Sequence, residues 1–185
     1  MIKILDCNNK KYISKINSLL KKKVNKDIHA KKIVKKIIKD VIERGDKALL
    51  RYEKKFNKNS EIIVKKKKYS KALKYLDIKV RKAIDLSFKR IYTFHSKQKI
   101  NNIYYKDSLN NKFYYKYKPI ESVAIYVPGG NASFPSTVLM NAIPAKIAGV
   151  KRIVMVNPKL KNRLSPGVLY AAKKIGIKEI YSIGG

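Results

Sequence analysis

The hydrophobic positions divide the chain into two textures. From residue 27 to residue 98 they recur at helical spacing, and from residue 122 onward they gather into short continuous runs. In the first part Ile33, Val34, Ile37, Ile38, Val41 and Ile42 follow three- and four-residue steps, which places them on one apolar stripe of a helix. Asp27 can cap the start of that helix and Gly45 can end it. Asp46 can then cap a second helix through Ala48, Leu49, Tyr52 and Phe56, so Arg44-Gly45-Asp46 predicts a joint with almost no loop. Ahead of it, Ile13, Ile16, Leu19 and Leu20 suit a short helix in a lysine-rich, weakly patterned start. Residues 57–69 are polar apart from Ile62, Ile63 and Val64, a candidate short strand, and Lys65 to Lys68 read as a solvated face. A third helical stretch covers Ser70 to Gln98, with a break near Asp77 and a stripe of Val80, Ile84, Phe88, Ile91 and Phe94. Between residues 99 and 121, Tyr104, Tyr105, Tyr114, Tyr115 and Tyr117 stand among lysines and asparagines. Their period-two stretches predict a half-buried hairpin over 103–117, with Asn110-Asn111 as its turn.

After Glu121 charge thins. Strand-like runs appear at Val123–Val127, Arg152–Val156 and Glu179–Ile183. A helix over Ser136–Ala148 separates the first two, with Val138, Leu139, Ile143 and Ile147 facing in, Pro144 kinking it and Gly149 ending it. A second helix, Pro166–Lys174, ends at Gly176. Strands alternating with helices at this spacing predict an α/β fold with a parallel βαβαβ sheet. The domain reading is therefore a mainly helical region over 1–118, hairpin included, and a βαβαβ unit over 119–185. Because Gly184-Gly185 follows directly on the third strand, where a loop and a covering helix should begin, that unit reads as incomplete at its C-terminus and the chain as a fragment.

The candidate chemistry sits where the first strand ends. Val123-Ala124-Ile125-Tyr126-Val127 is stopped by Pro128-Gly129-Gly130. Asn131, Ala132 and Ser133 follow, and a helix opens near Pro135 or Ser136. A strand, a glycine loop and a helix N-terminus bring free backbone N–H groups and a positive dipole end to one point, which suits an anion or a cofactor. The spacing is not G-x-G-x-x-G, since two adjacent glycines stand alone, so a tight structural strand-to-helix turn is the competing reading. Ligands of open parallel sheets bind beyond the carboxyl ends of the strands, here Tyr126–Gly130, Asn157–Pro158 and Gly184–Gly185.

Composition narrows the picture. A length of 185 residues supports one good core with a smaller lobe. No run of 18 apolar residues exists, so nothing is predicted to span a membrane, and MIKILDCNNKK is too weakly apolar for a secretory signal. The single cysteine, Cys7, has no partner for an internal disulfide, which fits a cytoplasmic setting. It has no neighbouring histidine for zinc binding or nucleophilic work. His29 and His95 lie beside helical stripes and read as structural or exposed.

The formal charge is +33, from 45 Lys and Arg against 12 Asp and Glu. A nucleic-acid-binding module with a lysine-rich surface is the alternative function this charge raises. Base reading favours arginine forks, yet Arg44, Arg51, Arg81, Arg90, Arg152 and Arg163 do not cluster. Abundant Lys, Asn, Ile and Tyr with no Trp is the skew that A/T-rich codons produce. We read the charge as that skew, which predicts no specific nucleic-acid partner and only salt-sensitive, sequence-blind attraction to polyanions.

The segment IESVAIYVPGGNASFPSTVLMNAIPAKIAGVKRIVMVNP closely resembles the N-terminal half of the histidinol dehydrogenase family. VIERGDKALLRYEKKFN and FHSKQ resemble matching helices of the same family, so the likeness covers nearly the whole chain. It implies zinc-dependent homodimers with Rossmann-like lobes that oxidise L-histidinol to L-histidine, through an aldehyde, in two successive NAD-dependent steps of histidine biosynthesis. It implies that Tyr126 contacts NAD. With the loop and helix start above, the cofactor-binding candidates are Tyr126, Gly129, Gly130 and Ser136. It also implies a longer protein. The family's zinc ligands, its histidinol-binding residues, its Glu-His acid–base pair and an NAD-contacting glutamine just past Gly185 all fall in a C-terminal half. A separately encoded second polypeptide is one source of that half. No catalytic or metal-ligating residue is expected in this chain.

Overall fold

The computed structural model describes residues 12–65, 70, 73–129, 133–159 and 163–184; of residues 19–27 it describes the backbone alone. Cys7, Gly130, Gly185, Asn131, Ala132 and Lys66 to Lys68 lie outside the described residues. The chain forms two compact units, Met1–Tyr52 and Glu53–Gly185.

The first unit is helical. The run α1, Tyr12–Asn57, is broken at Gly45, whose φ of 56° and ψ of −138° leave helical space. Gly45 thus forms the expected joint, because glycine alone adopts such angles without a steric penalty. Asp27, expected as a helix start, lies inside the run. Residues 12–27 contain neither glycine nor proline to interrupt it, so the N-terminal segment continues straight into the next. The Asp40 carboxylate bridges the break, pairing with Arg44 at 3.3 Å and with Arg51. Ile33, Val34, Ile38 and Ile42 remain exposed, so the stripe exists as a pattern but buries little.

The second unit is built on a parallel sheet. Its elements are α2 (Ile78–Ser96), β1 (Ile103–Lys106), β2 (Lys112–Tyr115), β3 (Ser122–Tyr126), α3 (Pro135–Ile147), β4 (Arg152–Val156), α4 (Pro166–Ile175) and β5 (Glu179–Tyr181). Strands β3, β4 and β5 pair in parallel and in chain order. The register aligns Ile125, Met155 and Ile180, which are all buried. This row packs against Val138, Leu139, Ala142 and Ile143 of α3 and Val168, Leu169, Ala171, Ala172 and Ile175 of α4. Residues one step away along β3, Ala124 and Tyr126, are exposed, as the period of two demands when helices cover a single face. Among the described residues the second face is thus open at β3, where an all-parallel sheet ordinarily has helices on both faces.

α2 lies against α3 and α4. Asp77 starts it, accepting a hydrogen bond from Lys79 N at 2.6 Å, so the break near Asp77 is a helix cap. Of its stripe, Ile84 is buried and Phe88 and Ile91 are half-buried, while Val80 and Phe94 at the two ends stay exposed. α3 runs through Pro144 to Ile147 as one element. α4 ends as predicted, with Gly176 in the left-handed region at φ 91°. β5 stops two residues short of expectation, and just past it Ser182 N–H bonds to Ile62 O at 2.7 Å. Ile63 makes an antiparallel bridge to Tyr181, so the 62–64 segment covers the outer edge of β5.

The hairpin β1–β2 forms in the predicted place, with Ile103 opposite Tyr115 and Tyr105 opposite Phe113. It is not half-buried, for every residue of both strands is exposed. Its rings pack on each other instead, Tyr104 on Tyr114 at 4.9 Å and Tyr115 on Tyr117 at 4.8 Å. The turn centres on Asp107, whose carboxylate accepts from Leu109 N and Asn111 N; Asn110 supplies the left-handed residue at φ 68°.

One charged cluster ties α2 to α4. Asp85 accepts from Lys174 Nζ at 2.8 Å and from the Tyr170 hydroxyl at 3.0 Å. The Lys174 ammonium holds the Asp85 carboxyl below its ordinary value, while burial and Asp85 push the Tyr170 phenol up. A lowered folded-state carboxylate contributes stability that is present above the ordinary pKa of about 3.9 and is lost as pH falls through the folded value. Both partners are more than a third exposed, so solvent screening keeps the pair's contribution to stability small. Lys174→Met is expected to lower the melting temperature at pH 7 and to converge on the parent as pH falls through the lowered folded-state value of Asp85. A gap that does not shrink in thermal melts across that range contradicts the pairing.

Candidate functional site

The carboxyl ends of the three parallel strands and the loops that leave them make up the candidate site. Asn157, buried at 3% exposure, stitches these ends together. Its backbone N–H donates to Tyr181 O at 2.9 Å, and its side-chain amide donates to Val127 O at 2.9 Å. Val127 N–H in turn donates to Val156 O at 2.8 Å. One side chain thereby holds the loop after β3 against the start of the loop after β4, with β5 alongside.

Gly129 has a packing reason to be glycine. A Cβ there would stand 2.9 Å from Pro158 Cβ, closer than real contacts allow, and 3.1 Å from Pro158 O, tighter than most. The close approach expected of the Pro-Gly-Gly loop is made to the neighbouring loop of the protein itself. Gly130 lies outside the described residues. Ser136 is exposed in the first turn of α3, where Pro135 occupies the first helical position and suits it, having no N–H to satisfy. Pro166 does the same for α4. The hydroxyls of Ser133 and Ser165 meet at 2.5 Å, so the N-termini of α3 and α4 open side by side. Their dipoles place partial positive charge at the same end of the sheet as the strand termini.

Tyr126 ends β3 with its side chain 53% exposed. Its ring reaches Gly184, three residues past the end of β5. A Cβ on Gly184 would stand 3.1 Å from both Tyr126 Cε2 and its hydroxyl oxygen. Gly184 takes φ 97°, so glycine is favoured there twice over, by backbone conformation and by the ring. Gly184 is held in turn by Glu53 and Asn57, and Ser182 by Asn59. Glu53, Asn59, Asn157 and Ser182 are all buried, and all four gather at this end of the sheet.

The structure thus places Tyr126, Gly129 and Ser136 at or next to the carboxyl end of the sheet and adds Asn157, Gly184, Glu53, Asn57 and Asn59. Sequence reasoning marked Asn157 and Gly184 as strand ends without giving either a role. The pair Asn157-Pro158 directly after an apolar strand was the available signal for the first. His95 bonds to Gln98 at 2.6 Å on an exposed face, and His29 is exposed. Among the described residues no group of three or more His, Cys, Asp or Glu is placed to hold a metal. Among the same residues no helix is long and apolar enough to cross a membrane.

The chain is similar to known proteins. The family model for histidinol dehydrogenase matches residues 20–185. Histidinol dehydrogenase of Pelagibacter ubique is 61% identical over 185 residues, covering 100% of this chain and 43% of that protein. The enzyme of that name from Caldanaerobacter subterraneus subsp. tengcongensis is 44% identical over 190 residues, covering 44% of its own length. The crystal structure of histidinol dehydrogenase from Elizabethkingia anophelis superposes with a TM-score of 0.79 at 36% identity, over 84% of this chain and 36% of that one. The chain therefore spans under half the length of the relatives it matches. A family match across residues 20–185, joined to a close structural likeness at 36% identity, means that the chain belongs to the histidinol dehydrogenase family.

Proposed function

We propose that this chain is the N-terminal part of an L-histidinol dehydrogenase and supplies part of its NAD site. The observation that carries the reading is the exposed Tyr126 ring at the carboxyl end of a parallel sheet, in a chain of this family. The geometry suits part of a dinucleotide. Tyr126 offers an aromatic face, and the adjoining N-termini of α3 and α4, with Ser136 in the first turn of α3, offer N–H groups and positive dipole ends to phosphate. NAD, when bound, accepts hydride in each of the two oxidations that take L-histidinol through its aldehyde to L-histidine. This chain's residues bind and orient the cofactor in that scheme. The described residues do not fit a zinc site, and in this reading zinc, the histidinol contacts and the proton-transferring groups belong to the rest of the family's length. That remainder comes from a C-terminal portion or a separately encoded polypeptide, in a cytoplasmic homodimer.

Activity decides it. The 185-residue chain, supplied with zinc, NAD and L-histidinol, is expected to form no measurable NADH, since removal of acid–base help alone costs roughly 10²–10⁴-fold in rate. Adding the complementary portion taken from a relative is expected to restore zinc- and NAD-dependent oxidation. In that reconstituted enzyme Tyr126→Ala should weaken NAD binding more than zinc binding. NADH formed by the chain alone, or a Tyr126→Ala enzyme with unchanged NAD affinity, overturns the assignment.

A further inference from the structure

The C-terminal end of α1 and the residues just after it form a clamp on the loop after β5. Glu53 is buried at 5% exposure. Its Oε1 accepts the Gly184 N–H at 2.8 Å, and its Oε2 accepts the Asn57 amide at 3.0 Å. The same Asn57 amide donates to Gly184 O at 2.9 Å. Both backbone polar groups of Gly184 are therefore taken up by side chains 127 to 131 residues away in sequence. Asn59, 2% exposed, donates to Ser182 O at 2.9 Å. Its own oxygen accepts Lys159 Nζ at 2.6 Å and Glu61 N at 3.1 Å. Lys58, between the two asparagines, sits at φ 51°, an unfavourable backbone conformation for a lysine. The contacts on either side of it hold that turn in place.

The Cα face of Gly184 left open by this arrangement is the face against which the Tyr126 ring lies. A loop held at both its N–H and its C=O is a fixed wall, and the ring that abuts it has fewer places to go. We propose that Glu53 and Asn57, supported by Asn59, are positioning residues that set the Tyr126 ring through Gly184. In the reading that Tyr126 faces NAD, on which this inference rests for its consequence, the clamp preorganises the aromatic platform before cofactor arrives. Preorganisation of this kind raises affinity by removing an ordering cost from the binding step. It links the helical linker at 53–59 to cofactor binding with no contact between that linker and the cofactor required.

The experiment uses the full 185-residue chain without cofactor first. Hydrogen exchange at the Gly184 amide and the ring resonances of Tyr126, assigned by their loss in Tyr126→Phe, are followed by NMR. A protected Gly184 amide and Tyr126 ring signals displaced from those of a free tyrosine are expected in the parent chain. Glu53→Ala should speed Gly184 exchange on the order of 10-fold and move the ring signals toward the free-tyrosine positions. Glu53→Gln, which keeps an oxygen for the Gly184 N–H, should restore most of that protection. Gly184→Ala, which spares both clamp side chains and intrudes on the ring, should shift the Tyr126 resonances even if Glu53→Ala fails to fold. NAD titration then shows roughly tenfold weaker binding in Glu53→Ala and Gly184→Ala than in the parent.

An unprotected Gly184 amide in the parent overturns the clamp, as do Tyr126 signals unmoved in the folded variants. Equal NAD affinity across parent and variants overturns its link to the cofactor. If the parent binds no NAD at all, the cofactor reading fails, and the amide and ring measurements still decide the clamp.

Discussion

Leu139→Ala is expected to destabilise the Glu53–Gly185 unit by about 2–5 kcal/mol, the usual range for a buried leucine truncated in a core that cannot collapse onto the gap. Leu139 is 1% exposed on α3 and belongs to the cluster that joins α3 to β3, β4 and α4. α3 is also in contact with α2, so its loosening reaches two other helices and the sheet at once. Against a typical domain stability of about 5–15 kcal/mol, a loss at the upper end would leave a large unfolded fraction at 37 °C. Urea unfolding followed by circular dichroism measures it, with a lower midpoint and an unchanged slope. Met140→Ala, one residue along the same helix at a side chain 63% exposed, is the internal control and should change stability by about 0.5 kcal/mol or less. Equal effects at the two positions would mean that α3 does not present this face to the core.

Asn157→Asp is expected to cost about 3–5 kcal/mol at neutral pH, the range for an uncompensated buried charge. The Asn157 amide donates to Val127 O at 2.9 Å from a site 3% exposed. A carboxylate there would turn a lone pair toward a carbonyl oxygen with no proton between them. Protonated, the same aspartic acid can donate, so the folded state favours the neutral form and raises its pKa above the ordinary value of about 3.9. The sign follows from proton binding: the folded variant holds its proton to higher pH than the unfolded chain does. Its stability therefore falls as pH rises through the ordinary value and levels off above the raised one. Chemical denaturation of parent and variant from pH 3 to pH 8 should show a small gap at the acid end and a wide one at neutrality. Asn157→Ala, which loses the bond without adding charge, should show a gap of about 1–3 kcal/mol with no such slope. A pH-independent gap for Asn157→Asp would mean that the side chain is not buried against Val127. Because the Asn157 side chain holds the loop after β3 against the start of the loop after β4, the same variant is expected to disorder the Gly129–Pro158 contact beside Tyr126.

Local pattern carried much of the second unit. Apolar runs bounded by proline and glycine located β3 and β4 to within a residue and α3 and α4 likewise, because the period of side chains along a strand or a helix is a property of the backbone. Gly45 and Gly176 were legible for the same reason, each marking a place where only glycine fits the turn. The apolar stripe of α1 and the rings of the hairpin were equally visible as patterns, but their exposure was not. Whether Ile33 or Tyr105 is buried depends on which other element lies over it, and no periodicity encodes that.

At the candidate site the division is sharper. The sequence by itself determined that Tyr126 ends a strand, that a glycine loop follows it and that a helix opens near Ser136. It also carried the family likeness in its motifs. The tertiary structure alone decided why those residues are constrained. Gly129 is glycine because Pro158 fills the space beside it, and Gly184 because the Tyr126 ring does. Glu53 reaches Gly184 across 131 residues and Asn59 reaches Ser182 across 123. Such contacts arise because a parallel sheet delivers the ends of its strands to one place whatever their separation along the chain. The polar groups that meet there, cut off from water, must then find partners among themselves.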